Sequence, residues 1–324
     1  MVEPVPAAFD RPHPRPALGY AMVWAGATLF AINGSVAKVA LVSKLDTEHL
    51  TLARSAGAFL GLGVVLLVAA PRSLRVHRAE LPFLVLYGVA GLAFVQWFYF
   101  VAIHRLPVGI ALLIEYLAPL LIALWVRFAL RRHVRRRVWA AGALAIVGLA
   151  LVVEVWHGLA LDGIGVAAAL AGAVSFAVYV LLAERAVGVR DPLSLSFYGF
   201  LFAALFWAIL QPPWTFPAGA LRDHVALVGS LGGHDPPVWA LLLWIVVLGT
   251  IVPFALIVGA LRHIPAPQVA VVATLEPVAA AVVAWLWLGE ELGAAQLAGG
   301  AIVLVGILLA QTARVDRNDV VLSD

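Results

Sequence analysis

Apolar residues run along this chain in blocks of about twenty, with polar residues gathered between the blocks. A helix needs roughly 20 mostly apolar residues to cross a bilayer, because inside lipid every backbone N–H and C=O must be satisfied within the segment. Ten segments have that character: 17–40, 48–70, 81–103, 107–129, 137–155, 162–183, 193–211, 237–260, 266–288 and 292–313. Most links between them are short, which predicts antiparallel neighbours. The exception is 211–237, rich in Pro and Gly and carrying Arg222, Asp223, His224, His234 and Asp235. It is expected to be an extended outer loop.

Composition agrees with the pattern. Hydrophobic residues make up 64% of the chain and charged residues 12%, against roughly a quarter charged in a soluble domain. Such a chain cannot cover itself in polar surface, so its solvent is lipid. There is no cysteine, which excludes disulfides and thiolate metal sites. Residues 1–16 are Pro-rich and lack the apolar core and cleavage site of a signal peptide. They read as a disordered cytoplasmic tail, and 314–324 as a second one.

Charge placement sets orientation. With the N-terminus inside, sixteen Arg residues fall on the inner side, among them the cluster Arg131, Arg132, Arg135, Arg136 and Arg137. Only Lys38, Lys44, Arg105 and Arg222 fall outside. Both termini are therefore expected in the cytoplasm. The Arg cluster is most simply a topology anchor, in reach of anionic lipid headgroups.

The chain also repeats itself. Aligning 102–152 with 260–310 at a constant offset of 158 pairs Pro107 with Pro265 and Pro119 with Pro277. It also pairs Gly142 with Gly300 and Gly148 with Gly306. An offset of 146 matches Ala25-Gly26-Ala27 with Ala171-Gly172-Ala173, and Phe30-Ala31 with Phe176-Ala177. Five helices per copy force the second copy into the membrane from the opposite side. The expected fold class is thus an all-α integral membrane protein with ten transmembrane helices as two inverted five-helix repeats, 17–155 and 162–313. Many secondary transporters derive two alternative openings from that arrangement. Gly57, Gly61, Gly63, Gly299 and Gly300 read as close-packing positions. Pro119 and Pro277 kink their helices, as hinges or as static shape.

Ionisable groups inside a bilayer are costly, by at least about 2.5 kcal/mol at its centre. Three stand out: Arg54, Glu115 and Glu276. At 1.5 Å per residue, Glu115 lies about 12 Å and Arg54 about 9 Å from the outer face. The two suit an ion pair, or could hold the ends of a zwitterion between them. Glu276 lies near the midplane; its repeat equivalent is Ala118, one turn from Glu115. Desolvation favours the protonated carboxyl, which suits Glu276 and Glu115 to proton coupling. A buried Glu bonded for packing specificity, and an Arg54 that snorkels outward, are the alternatives.

Weaker candidates for a lining are Asn33, Tyr179, Trp24, Gln96, Tyr99, Tyr116 and Gln268; lipid-interface or core packing explains any one of them singly. Lys38 and Glu184 occupy matching helix ends and could gate opposite faces, or simply be solvated. Glu290 and Glu291 read as a turn cap, and Trp244, Trp285 and Trp287 as interface belts. No HExxH, nucleophile elbow or P-loop is present, so neither an enzyme, a metal, a cofactor nor ATP is expected. The small net charge of +3 gives no reason to expect nucleic acid.

The segment AIHRLPVGIALLIEYLAPL (102–120), its partner LRHIPAPQVAVVATLEPVAAA (261–281) and WLWLGE (285–290) resemble EamA-type transporters of the drug/metabolite transporter superfamily. The Glu before the helix-four proline, the LEP of helix nine, the Arg of helix two and the Lys closing helix one resemble the threonine/homoserine exporter branch. That resemblance implies Glu115, Glu276, Arg54 and Lys38 around a central cavity in a bacterial plasma membrane. The 211–237 connection departs from the branch. The expected function is a secondary transporter of an amino acid or similar metabolite, exported or exchanged by alternating access with proton coupling. Arg54 would meet the carboxylate, Glu115 the amine, and Glu276 would carry the proton. Its partners would be that small molecule, protons and lipid, with a homodimer compatible. A cavity walled by aromatics with Arg54 paired away would instead favour another substrate, such as a cationic drug, nucleobase or sugar conjugate. A non-transport membrane enzyme or assembly subunit would need a catalytic cluster facing the headgroups.

Overall fold

The computed structural model describes residues 15–129, 131, 136–154, 161–186, 190–260, 263–264 and 266–315. Residues 1–14, Arg132 and Arg135 of the arginine cluster, and the last nine residues thus lie outside the described residues. Among those described, eight helices are long and apolar enough to cross a membrane and two further apolar helices are shorter. In chain order they are α1 (Pro16–Ala40), α2 (Thr47–Val68), α3 (Arg78–Arg105), α4 (Val108–Trp125), α5 (Trp139–Val153), α6 (Gly163–Ala186), α7 (Pro192–Leu210), α8 (Val238–Ile257), α9 (Val271–Leu288) and α10 (Ala294–Leu309).

The closest pairings join a helix of the first five to one of the last five: α5 with α10, α2 with α7, α3 with α6, α1 with α8 and α9, and α4 with α9. Small residues permit this where backbones cross. A Cβ on Gly148 would stand 2.7 Å from the Gly299 carbonyl oxygen, and one on Gly299 2.6 Å from that of Gly148. Gly57 and Gly61 likewise leave room on α2 for Val246 and Ile251 of α8. These glycines do pack helices, as expected of them.

Four of the spans are irregular, and the irregularities recur at the 158-residue spacing. α4 is broken at Tyr116–Leu117, between Val108–Glu115 and Ala118–Phe128. α9 is broken at Thr274–Leu275, between Ala266–Ala273 and Glu276–Leu288. Pro119 and Pro277 have no N–H for the carbonyls of Glu115 and Ala273, and each proline ring crowds that carbonyl. The backbone therefore parts just before each proline. α3 and α8 each contain a π-helical stretch, Tyr87–Ala93 and Val247–Ile251, ending at the same spacing. Periodicity alone draws all four as continuous helices.

The two ends of the bundle are held differently. At one, residues 211–237 form a folded cap, which corrects the expectation of an extended loop. Val225 N–H donates to Pro236 O at 3.1 Å, Leu227 N–H to His234 O at 2.9 Å, and Val238 N–H to Asp223 O at 3.0 Å. Ala220 and Val225 are buried, and Phe216, Leu221 and Leu227 pack with Trp287 and Leu288 against the main core. Gly229, at φ +67°, backs directly onto the Trp287 carbonyl, a position where a side chain has neither the space nor the backbone freedom. At the other, arginine-bearing end, Arg190 reaches Glu80, donates to the Arg75 carbonyl at 3.0 Å, and lies 4.7 Å over the Tyr198 ring.

Candidate functional site

A cavity of about 290 Å³ lies between the helices, lined from α1 to α4 and α6 to α9. α1 presents Phe30 and Asn33, α2 Arg54, α3 Gln96 and Tyr99, α4 Glu115 and Tyr116, α6 Phe176 and Tyr179, α7 Phe200, α8 Phe254, and α9 Ala273 and Glu276. Seven of the nine residues expected to bind substrate or line its path thus meet in one place, and both expected proton carriers with them.

Arg54 is 8% exposed, and its guanidinium is held by α8. Nε donates to Thr250 Oγ1 at 2.9 Å and Nη2 to the Gly249 carbonyl at 3.3 Å, with the Phe100 ring 5.5 Å beneath. Thr250 in turn donates to the Ile245 carbonyl at 2.8 Å, two residues before the π-helical stretch of α8. Neither Glu115 nor Glu276 is within ion-pair distance of Arg54, so the expected Arg54–Glu115 pair does not form. Snorkelling is excluded too: the side chain turns inward.

Glu276 is held by Tyr116, whose hydroxyl lies 2.7 Å from Oε2 and 3.2 Å from the Ala273 carbonyl. Glu115 lies over Gly172 of α6 and lines the cavity; among the described residues it has no hydrogen-bond partner. Gln96 donates to Leu92 O at 3.1 Å and Ser55 Oγ at 3.4 Å. Its own Oε1 and Asn33 Oδ1 are buried without a partner. A buried acceptor left unmet is costly, and Asn33 Oδ1 packs against Gly249 of α8. Aromatic rings form the remaining wall. Phe254 meets Phe30 and Phe200 edge-on at 5.6 and 5.9 Å, and Phe176 stacks on Tyr179 at 5.9 Å.

Other expectations fall elsewhere. Trp24 is 63% exposed on the outer surface of α1, since its angle around the helix lies off the Gly26–Phe30–Asn33 face. Gln268 is also exposed and accepts a hydrogen bond from the Tyr20 hydroxyl at 2.9 Å. Lys38 binds Glu290 at 2.6 Å and the Leu106 carbonyl at 2.7 Å. Glu290 Oε2 also accepts the Val108 N–H at 2.8 Å, so Glu290 clamps α1 and the start of α4 rather than capping its own turn. Glu184 is exposed at the arginine-bearing end. Trp285 is exposed, but Trp244 and Trp287 pack on the core beneath the cap, not in an interface belt.

Thr250 and Glu290 were not among the expected site residues. Thr250 had a signal, as the lone hydroxyl in the apolar run 238–260. Glu290 had none, because a charge at a helix end reads as solvated until its partners are known. Phe200 and Phe254 are two of fifteen phenylalanines and were indistinguishable from packing residues.

The model of the EamA-like transporter family matches residues 17–154 and 163–312. The threonine/homoserine exporter RhtA of Escherichia coli K12 is 31% identical over 79% of this chain and 80% of its own length. The protein of the same name from Salmonella typhimurium LT2 is 30% identical over 74% of each chain. An uncharacterized transporter of Archaeoglobus fulgidus is 26% identical over 65% of this chain and 70% of its own. A solved crystal structure, 22% identical, superposes with a TM-score of 0.56 over 93% of this chain and 98% of that one, a likeness of fold alone.

Proposed function

The chain belongs to the EamA-like transporter family, and from that premise we propose that it is a secondary active transporter exporting or exchanging an amino acid or similar amine-bearing metabolite. One observation carries the reading: Glu115 stands in an aromatic-walled cavity without a hydrogen-bond partner among the described residues. An ammonium has three N–H donors and no acceptor, and this wall offers it a carboxylate. Relatives named as threonine/homoserine exporters support the amino-acid class.

Two inverted five-helix halves rock around the cavity in this reading, in a bacterial plasma membrane with both termini cytoplasmic. The recurrence of the breaks and π-helical stretches at one spacing supports the repeat. A buried layer including Ala37, Leu41, Ile103, Leu106, Val108 and Leu241 lies between cavity and cap. With the Glu290 clamp, it supports reading this form as the one closed to the outside. Glu276 carries the coupled proton.

A second reading has one observation in its favour. Arg54 is tied to Thr250 and Gly249 and the cavity is walled by aromatics, which suits an amine with an apolar body better than a small zwitterion. Counterflow of labelled amino acids and of aromatic amines in proteoliposomes, with and without a pH gradient, separates the two. Accumulation of an amino acid establishes the first; accumulation of the amines alone establishes the second. Transport of neither, by folded protein, sinks both.

A further inference from the structure

Tyr116 has one proton and two acceptors. Its hydroxyl lies within hydrogen-bond distance of Glu276 Oε2 at 2.7 Å and of the Ala273 carbonyl at 3.2 Å, and a phenol donates once. The Ala273 carbonyl needs an outside donor, because the residue four positions on is Pro277 and has no N–H. When Glu276 is ionised it only accepts, so Tyr116 donates to it and the Ala273 carbonyl loses the phenol. When Glu276 takes up a proton from cavity water, the new O–H can donate to the tyrosine oxygen. The tyrosine's own proton then turns to Ala273. Tyr116 stays protonated throughout, and the single proton gained resides on Glu276.

We infer that Tyr116 is the positioning residue that relays the protonation of Glu276 to the backbone break of α9, so that the helix break is satisfied in one protonation state and open in the other. This rests on the proposed proton-coupled transport. The relay crosses between the two halves: the hydroxyl belongs to the broken turn of α4, and both acceptors to that of α9. Thr274, at the repeat-equivalent position to Tyr116, bonds back to its own helix at the Val271 carbonyl, 2.5 Å away. The device is therefore present once. The ionisable groups facing Glu276 are Tyr116 and Glu115 from α4, Arg54 from α2, and Tyr99 from α3, with Tyr179 further along the wall on α6. α10 carries no ionisable residue between Ala294 and Leu309, and α8 none between Val238 and Ile257.

The test compares wild type, Tyr116→Phe, Glu276→Gln and Pro277→Ala in proteoliposomes, reading substrate exchange and gradient-driven accumulation separately. One proton per substrate supports at most about tenfold accumulation per pH unit. In Tyr116→Phe accumulation should fall to about onefold and the pH profile of the exchange that remains should flatten. Pro277→Ala restores an N–H for the Ala273 carbonyl and leaves both side chains intact, so it should flatten the profile too. If Tyr116→Phe does not insert or fold, that variant decides. A wild-type pH profile in Tyr116→Phe, or in Pro277→Ala when it alone is measurable, overturns the relay. A wild-type response in Glu276→Gln instead overturns the proton-coupled reading beneath it.

Discussion

Glu115 and Glu276 stand on helix breaks that match at the 158-residue spacing, yet they hold opposite positions on them. Glu115 is the last residue of the segment before the break in α4; Glu276 is the first residue of the segment after the break in α9. A helix N-terminus favours an anion and a C-terminus favours a cation. Glu276 is thus supported by its own helix and by Tyr116. Glu115 sits where the helix end itself favours positive charge, over Gly172, with open cavity beside it. A shared backbone irregularity has been given two chemistries. One carboxylate is held by the protein, and the other has no hydrogen-bond partner among the described residues.

The largest effect should come from exchanging these roles. Glu115→Gln removes a charge-assisted contact worth about 1.5–3 kcal/mol, so substrate affinity in binding or counterflow assays should fall roughly 10- to 150-fold. Glu276→Gln should leave affinity nearly unchanged and abolish the response to a pH gradient. Equal affinity losses in both variants would show that the carboxylates share one task.

The clamp at the cap end sharpens the comparison next. Glu290→Ala strips partners from both Lys38 and the Val108 N–H, and should destabilise the closed form by about 1–3 kcal/mol. Lys38→Met leaves the Val108 contact in place and should cost less. Membrane-impermeant maleimide labelling at Ala37→Cys reads the opening directly, since the natural chain has no cysteine to remove. Labelling that is faster in Lys38→Met than in Glu290→Ala would contradict the assignment of Glu290 as the bridge.

Asp162 should give the smallest effect. It caps α6 through the Gly165 N–H at 2.7 Å and pairs with Arg105 at 3.3 Å. The backbone N–H of Gly165, then Arg105, hold its carboxyl below the ordinary range. Its contribution to stability is accordingly full above the ordinary carboxylate range and lost as pH falls through the lowered value. Thermal unfolding in detergent should show Asp162→Asn shifting the midpoint slightly near neutrality and not at all in strong acid.

Much of the site was legible residue by residue. Arg54, Glu115 and Glu276 declared themselves because charge in an apolar run needs a reason, and Asn33, Gln96, Tyr99, Tyr116 and Tyr179 because polar groups there are few. Trp24 misled, since an aromatic suits a lipid surface as well as a cavity wall. Partners were not legible. That Arg54 is held by Thr250, or Lys38 by Glu290, joins residues 196 and 252 positions apart, and no local pattern carries that information.

By itself the sequence determined the apolar helices, the apolar solvent they need, and the prolines at which α4 and α9 part. Backbone hydrogen bonding in lipid and the missing proline N–H are local constraints, acting within a turn or two of the residue concerned. Only the tertiary structure decided which side chains face each other across the breaks, and that 211–237 folds down as a cap. It also decided that Tyr116 serves both Glu276 and the carbonyl left by Pro277. Those outcomes depend on how helices from the two halves rotate and cross, and packing between distant segments sets that geometry after each helix has formed.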